Sequence, residues 1–590
     1  MDKKLAKDRR KLLDDERGVI RKRRHAITTV ALVYPNTYHV GMSNLGFQSV
    51  YHLLNSMDDI VCERSFLPEI RFKNANDIIT IESGQPIRQF DMVAFSISFE
   101  NDYPNILTIL QRAGIPLKSK DRGNPHPLVA AGGVACFLNP EPIAPFIDCV
   151  FMGEAEAILP AFVERYHRKA GRGRQLKQLA QNVEGIYVPA FYESRYAADG
   201  RFQSMQPTSD VPPKIKRVYL RNLDTAATCS AILTPHTTFD RTYLMEVSRG
   251  CPHGCRFCAA GYIYRPPRFR SLSFLKAALE TGEKRSNKIG LVGAAVSDLP
   301  GLNELCGHAA PGTTLSFSSL RAEALTSELI SRMKESGVKT ATIAPDAGSE
   351  RLRRVINKGI CETDILNAAE MLVANGVPNL KLYFMIGLPS ETMADIDAIV
   401  LLCKKIKHRF LKTSRSRKRI GEITVSINSF VPKPHTPFQW AAMDEIHLLK
   451  EKIKRIKLGL KRVSNVQVHA DIPKWAYIQG LLSRGDRRVA EILTRLNQNN
   501  GNWAKTLKAS PINPDFYVVR QRSLDEIFPW DFIDHGIRKS FLKSEYQKAL
   551  RDTPTASCNP TSCNICGVCH PPETPSSVER IYSMPDNKNT

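Results

Sequence analysis

Between Arg241 and Pro432 six short runs rich in β-branched and apolar residues recur: RTYLMEVS, KIGLVGAAVS, TTLSFSS, VKTATIAP, LKLYFMIGLP and EITVSINSFVP. Helix-forming stretches such as DILNAAEMLVANG separate most of them. Strands that alternate with helices must pair in parallel, because each crossover carries the chain back to the same end of the sheet. Six such units predict a partial or complete (β/α)6 barrel over residues 241–440, with its chemistry at the strand C-terminal ends. An earlier alternation, ITTVALVYP, DMVAFSISF, PLVAAGG and DCVFMG with helices between, predicts a Rossmann-like doubly wound sheet over residues 26–195. Ligands of that sheet are expected beside Ser96, Gly132, Gly133, Gly153 and Glu154. The chain is therefore read as a multidomain α/β protein without internal repeats.

The flanks differ in character. Residues 1–25 read as a basic, helical extension, and 196–240 as a linker or small subdomain. Residues 441–550 read as mainly helical. Within them KEKIKRIKLGLKRV reads as an amphipathic helix, with Ile453, Ile456, Leu458 and Leu460 on its apolar side. Residues 551–572 hold a cysteine segment, and 573–590 are polar and proline-bearing, as in a disordered tail. Net charge is +24, from 83 Lys and Arg against 59 Asp and Glu. That balance favours polyanionic partners such as RNA or a ribosomal component. The run 404–419 reads as an exposed loop able to reach phosphates. No RNA-binding module is recognisable, so the RNA expectation rests on charge.

Fourteen cysteines occur, seven of them in two tight clusters. The N-terminus lacks the apolar core of a signal peptide, and no apolar run is long enough to span a membrane. A reducing cytoplasm is expected, with metal or redox chemistry rather than disulfides. Cys62, Cys136, Cys149, Cys229, Cys306, Cys361 and Cys403 are scattered and read as small buried residues. Cys251, Cys255 and Cys258 make a CxxxCxxC loop directly after the first barrel strand, with Phe257 before the last thiol. Three soft ligands so close suit an iron–sulfur cluster. The competing structural zinc would need His253 as fourth ligand, which is cramped two residues from Cys251. Cys558, Cys563, Cys566 and Cys569 make a second set, CxxxxCxxCxxC, able to ligate an auxiliary iron–sulfur cluster or a structural zinc.

The CxxxCxxC loop after the first strand of a six-unit barrel resembles the radical S-adenosylmethionine (SAM) enzymes. The resemblance implies a 4Fe-4S cluster on Cys251, Cys255 and Cys258, whose fourth iron chelates SAM. In that family an electron from the cluster splits the sulfonium to give a 5′-deoxyadenosyl radical or a related organometallic species. An electron donor such as flavodoxin or ferredoxin is implied. FMIGLPSET (384–392) looks like the fifth-strand glycine motif that contacts adenine, through Gly387. SINSFVPKPHTPFQW (426–440) is like the sixth-strand segment of radical-SAM methylthiotransferases. APDAGSERLRRVINKG (344–359) resembles the fourth-strand region, with Ser349, Glu350 and Arg353 facing SAM. The usual Gly-Gly-Glu motif is replaced by VGAAVSD, where Gly293, Ala294 and Ser297 are the substitutes. Phe257 completes the implied cofactor-binding set, and no catalytic residue is assigned.

SISFENDY followed by VAAGGVACFLNPEPIAPFIDCVFMGEAE looks like the cobalamin-binding domain fused to many radical-SAM enzymes, without the Asp-x-His-x-x-Gly signature that ligates cobalt. A cofactor-free Rossmann domain is the bland alternative. A methylthiotransferase-like domain is a third, needing a cluster on Cys62, Cys136 and Cys149. The resemblance implies a cytoplasmic transferase that modifies an unreactive carbon, by cobalamin-linked methylation. Sulfur insertion, or a non-catalytic iron–sulfur RNA-binding or assembly factor, are the alternatives.

Overall fold

In the computed structural model the described residues are 3–22, 28–68, 78–167, 170–414, 421–559, 563 and 565–569. The expected tail at 573–590 lies outside them. The N-terminal sheet comprises β1 (Thr28–Tyr34), β2 (Ile60–Phe66), β3 (Met92–Ser96), β4 (Leu128–Gly132), β5 (Cys149–Phe151) and β6 (Ile186–Tyr187). Their spatial order is β2-β1-β3-β4-β5-β6, parallel except for the antiparallel β5–β6 pair. The order reverses between β1 and β3, which opens a crevice there at the strand C-terminal ends.

Sequence reasoning missed β2, because its IVCERSF breaks alternation with adjacent charges. In the fold all seven residues are buried. Arg64 pairs with Glu16 at 2.7 Å and Glu82 at 2.6 Å, and Thr80 donates to Glu63 at 2.5 Å. Glu16 follows the helix Lys3–Asp15 and ties the basic extension to the sheet.

All six expected barrel strands form. Tyr243–Glu246, Lys288–Val292 and Thr314–Phe317 make one parallel sheet. Thr340–Asp346, Asn379–Ile386, Ile423–Ser429 and Val466–Ala470 make another. Two features depart from the sequence reading. Among the described residues the barrel is two ladders of three and four strands, not one. Its seventh strand, Val466–Ala470, lies beyond residue 440 in the region read as helical; it is a five-residue edge strand set between the helices Ile446–Leu460 and Pro473–Arg484. The first three strands have their own apolar core around Tyr243, Leu275, Ile289 and Leu291. A larger core is continuous from the N-terminal sheet through the second ladder to the C-terminal helices.

Four further expectations need correction. Tyr192–Tyr196 and Phe202–Pro207 form a hairpin across the boundary placed at residue 195. Residues 404–414 continue the helix Met393–Ser414 rather than form a loop, and Lys407 is buried. In the helix Ile446–Leu460, Ile453, Ile456 and Leu460 are buried, but Leu458 is 61% exposed. Its angular position falls outside the stripe that faces the sheet. Six scattered cysteines are buried as expected, but Cys361 is exposed at a helix start. No helix among the described residues is long and apolar enough to cross a membrane.

Candidate cofactor site

A cavity of about 510 Å³ opens in the β1/β3 crevice. All five residues expected from the sheet pattern, Ser96, Gly132, Gly133, Gly153 and Glu154, line it. The wall runs back along the sheet face past Leu32 and Ala94 to Thr28 and Met92, making a deep slot. In the other direction it reaches Gly250 at the base of the first cysteine loop and Gly293 and Ala294 after the second barrel strand. The slot thus joins two domains that the sequence pattern treated separately.

Two glycines in the slot's wall allow close backbone approaches there. Gly133 has φ +105°, and a Cβ there would stand 2.4 Å from Ile97 O. Gly153 has φ +149°, and a Cβ would stand 2.1 Å from Val218 O. Only glycine tolerates both the dihedral and the contact.

A buried charge network seals the seam. The Glu154 carboxylate accepts from Arg268 at 2.6 and 3.0 Å, from Arg249 at 2.8 Å and from Leu220 N–H at 3.0 Å. Arg249 also bonds Glu156 at 3.0 Å and Glu246 at 2.9 Å, and Glu246 accepts from Arg270 at 2.9 Å. Burial alone would raise the Glu154 carboxyl, but Arg249, Arg268 and Arg217 outweigh it and hold the group at about 2. Glu154 therefore stays ionised and serves the seam.

The loop begins where Ser248–Arg249 pairs antiparallel with Arg268–Phe269, pinching its two ends together. Gly250, at φ +85°, turns the chain into it. Cys258 N–H donates to Cys255 O at 3.0 Å, and Gly261 N–H to Cys258 O at 3.2 Å. Cys255 is buried, and Cys251 and Cys258 are half-buried. Burial, with the neighbouring Cys255 and Cys258, pushes the Cys251 thiol up to about 12. Burial also raises Cys255 and Cys258, while Lys358 pulls both down and Arg321 pulls Cys255. Lys358 is fixed by Asp346 at 2.5 Å, and Arg321 donates to Lys358 O at 2.8 Å. These two cations escaped sequence reasoning, since Arg321 lies in the loop after the third barrel strand and Lys358 follows the helix Glu350–Val355, and only the fold brings them to the thiols. Among the described residues no three His, Cys, Asp or Glu side chains already stand as a finished metal-holding set. Three thiols are thus gathered, not closed.

His253 is engaged otherwise than a zinc ligand: its Nε2 meets Asp298 Oδ1 at 2.8 Å, and its Nδ1 lies 3.4 Å from Ser557 Oγ. Phe257 is half-buried against the main core. Gly293 N–H donates to Ser318 Oγ at 3.1 Å, and Ser297 Oγ accepts from Arg321 N–H at 3.2 Å. Ser349 caps the helix Glu350–Val355, accepting from Leu352 N–H at 3.1 Å, and Glu350 is exposed. Arg353 is buried and donates to Ala347 O and Gly348 O, each at 3.0 Å. Gly387 has φ +80°, and its N–H donates to Glu391 at 2.7 Å, a carboxylate held by Lys452 at 2.6 Å. The cavity brings Gly293 together with the sheet residues; Phe257, Ser297, Ser349, Glu350 and Gly387 lie outside its lining.

The sequence matches the description "Radical SAM superfamily" over residues 245–403 and "Radical SAM proteins, N-terminal" over residues 46–189. An uncharacterized protein of Methanocaldococcus jannaschii is 33% identical over 477 residues, spanning 79% of this chain and 91% of that one. The chain belongs to the radical SAM superfamily. An uncharacterized methyltransferase of Pyrococcus horikoshii is 22% identical over 311 residues, 48% of this chain and 59% of that one. Among solved structures, the cobalamin-dependent S-adenosylmethionine radical enzyme OxsB with aqua-cobalamin and S-adenosylmethionine bound aligns with TM-score 0.42 and 12% identity, covering 89% of this chain and 80% of that one. A structure of OxsB with aqua-cobalamin alone aligns with TM-score 0.40 and 15% identity over 64% of this chain, and the match spans about half of that chain, 52%.

A radical SAM protein uses a 4Fe-4S cluster, which when bound supplies the electron that cleaves SAM. The donor set here fits that group: three thiols in one pinched loop, beside two fixed cations able to offset the charge of thiolates. The chain's own part is to hold those thiols, to present Lys358 and Arg321 beside them, and to shield the loop from water.

Proposed function

We propose that the protein couples SAM cleavage to cobalamin-linked methylation of an unreactive carbon, with RNA or a ribosomal component as substrate. The observation that carries this reading is the shared cavity. One slot reaches both the glycine-lined edge of the Rossmann sheet and the base of the SAM-cluster loop. Its volume lies within the usual range of cofactor pockets. Its depth along the sheet face suits a flat macrocycle with an appended tail. Cobalamin, when bound, would carry the methyl group; Ser96, Gly132 and Gly133 would line it. The name of the Pyrococcus relative supports methyl transfer. Exposed Lys450, Lys454, Lys457 and Lys461 on one helix support a polyanionic substrate. Phe257, Gly293, Ser297, Ser349, Glu350 and Gly387 remain the proposed SAM-facing set. Cys558, Cys563, Cys566 and Cys569 are proposed to hold a second centre, iron–sulfur or zinc.

Sulfur insertion ranks lower. An N-terminal cluster would need Cys62, Cys136 and Cys149, which lie in β2, the helix Val134–Leu138 and β5, at most 1% exposed, with thiols raised by burial.

The test is anaerobic purification with cobalamin supplied, measuring iron, sulfide, zinc and cobalt per chain beside a Cys251→Ala, Cys255→Ala, Cys258→Ala variant. Loss of about four irons in the variant is expected, with bound cobalt in both. Label from methyl-labelled SAM should then enter RNA or ribosomal material. Iron unchanged by the substitutions would sink the cluster assignment. Iron without cobalt would remove methyl transfer. An intact cluster that yields neither 5′-deoxyadenosine nor methionine under reduction would favour a non-catalytic factor.

A further inference from the structure

Residues 553–558 are laid directly against the first cysteine loop. Cys558 N–H donates to Pro252 O at 2.8 Å. Thr555 N–H donates to Asn357 Oδ1 at 2.8 Å, and Asn357 Nδ2 donates to Thr555 O at 3.0 Å and to Gly254 O at 3.2 Å. The Asn357 side chain thus joins the two segments. Arg256, next to Cys255 and fully buried, donates to Thr553 O at 2.7 Å, Thr555 Oγ1 at 3.3 Å and Glu545 at 3.2 Å. It also holds Arg354 O and Val355 O at 3.1 and 2.9 Å. A loop fastened at Pro252, Gly254 and Arg256 is one that the C-terminal segment positions.

The four C-terminal thiols lie just beyond these contacts, near enough to bear on one another's charge but, like those of the first loop, not closed into a finished metal-holding set among the described residues. Cys566 is buried, and its carbonyl accepts from Arg538 N–H at 2.9 Å. Cys558 feels the charges of Cys563, Cys566 and Cys569, and Cys569 those of Cys563 and Cys566. Arg265 faces them. It is 6% exposed, donates through Nε to Gly261 O at 2.7 Å, and lies 4.9 Å from the Tyr262 ring and 5.3 Å from that of Phe541. Cys566 and Cys558 both lie within its field. Among the described residues no carboxylate pairs with it. A buried cation without a counter-ion is costly, whereas four thiolates around a metal keep net negative charge. Both features, the clasp and the unpaired buried guanidinium, point to an anionic occupant of the thiol set.

We propose that Cys558, Cys563, Cys566 and Cys569 hold a thiolate metal centre that latches residues 553–558 against the SAM-cluster loop, with Arg265 as its counter-charge. The first cluster is then retained only while the latch is closed. This rests on the cluster assignment above. The chemistry shared by zinc and an iron–sulfur cluster is tetrathiolate ligation, and metal analysis separates them.

The experiment compares full-length parent, Cys566→Ser, Arg265→Gln, Arg265→Lys and the Cys251/Cys255/Cys258 triple variant, all anaerobic. Zinc and iron per chain are measured, then the rate at which the first cluster bleaches under a chelator. Cys566→Ser should lose one zinc or about four irons, and its remaining cluster should bleach about tenfold faster or more. Arg265→Gln should speed release of the second metal about tenfold, the scale of one lost charge-assisted bond, and Arg265→Lys should recover most of it. The triple variant should keep the second metal. Cys569→Ser repeats the test should Cys566→Ser not accumulate. An unchanged metal complement in the serine variants overturns the site. Loss of the second metal with first-cluster bleaching at the parental rate overturns the latch. Iron that the triple variant fails to lose refutes the first-cluster assignment instead, which keeps the two failures distinct.

Discussion

Glu154→Gln is the sharpest probe of the seam between the Rossmann sheet and the barrel. The carboxylate sits at about 2 in the fold because two buried arginines bond it. Against an unfolded value near 4.3, the shift is worth about 3 kcal/mol at neutral pH. The folded value is depressed, so this contribution is complete above about pH 5 and disappears as pH falls toward 2, with about half left at pH 3. Glutamine keeps the shape and removes the charge, leaving Arg268 buried without its carboxylate. Arg249 keeps Glu156 and Glu246. Leu220 N–H reports locally, since it donates to the Glu154 carboxylate. Native-state hydrogen exchange at pH 7 should show this amide exchanging about a hundredfold faster in the variant, matching the loss of about 3 kcal/mol. Adding Arg268→Met should restore more than half, because the unpaired buried charge is removed with its partner. A change under about fivefold, or a double variant worse than the sum of the singles, would refute the reasoning.

Gly133→Ala adds a methyl group against Ile97 O at an unfavourable φ; strain of about 1–3 kcal/mol is expected, with cobalt loading lost and iron content retained, both read by metal analysis. Lys452→Met strands Glu391 and Asp444, each 2.6 Å from the ammonium; urea unfolding should show a loss of about 3 kcal/mol, and the KM for SAM should rise because Glu391 also holds the Gly387 turn. His435 and His535 are buried with ring centroids 4.3 Å apart, and burial takes His435 to about 3 and His535 well below its usual value. Both fold neutral, so stability falls as pH drops below about 6.5, by about 2 kcal/mol per histidine at pH 5. In His435→Asn denaturant unfolding between pH 7 and 5 should show about half the parental slope.

The sequence alone determined the two alternating sheets, their parallel sense and the cluster loop. All six barrel strands and four of the five longer strands of the first sheet were legible, because they are short runs rich in β-branched and apolar residues set between helix-forming stretches. The three thiols were legible because ligation demands residue types at a local spacing. β2 was hidden because Glu63 and Arg64 are buried by partners at Thr80, Glu16 and Glu82 that no local pattern shows. Val466–Ala470 was hidden because it is a five-residue edge strand set between two helices. Three things depended on tertiary structure: the slot shared by two domains, the cations beside Cys255, and the C-terminal thiols clasped to a loop about 300 residues away. Each depends on contacts between distant segments, whose distances are set by packing rather than by any periodicity along the chain.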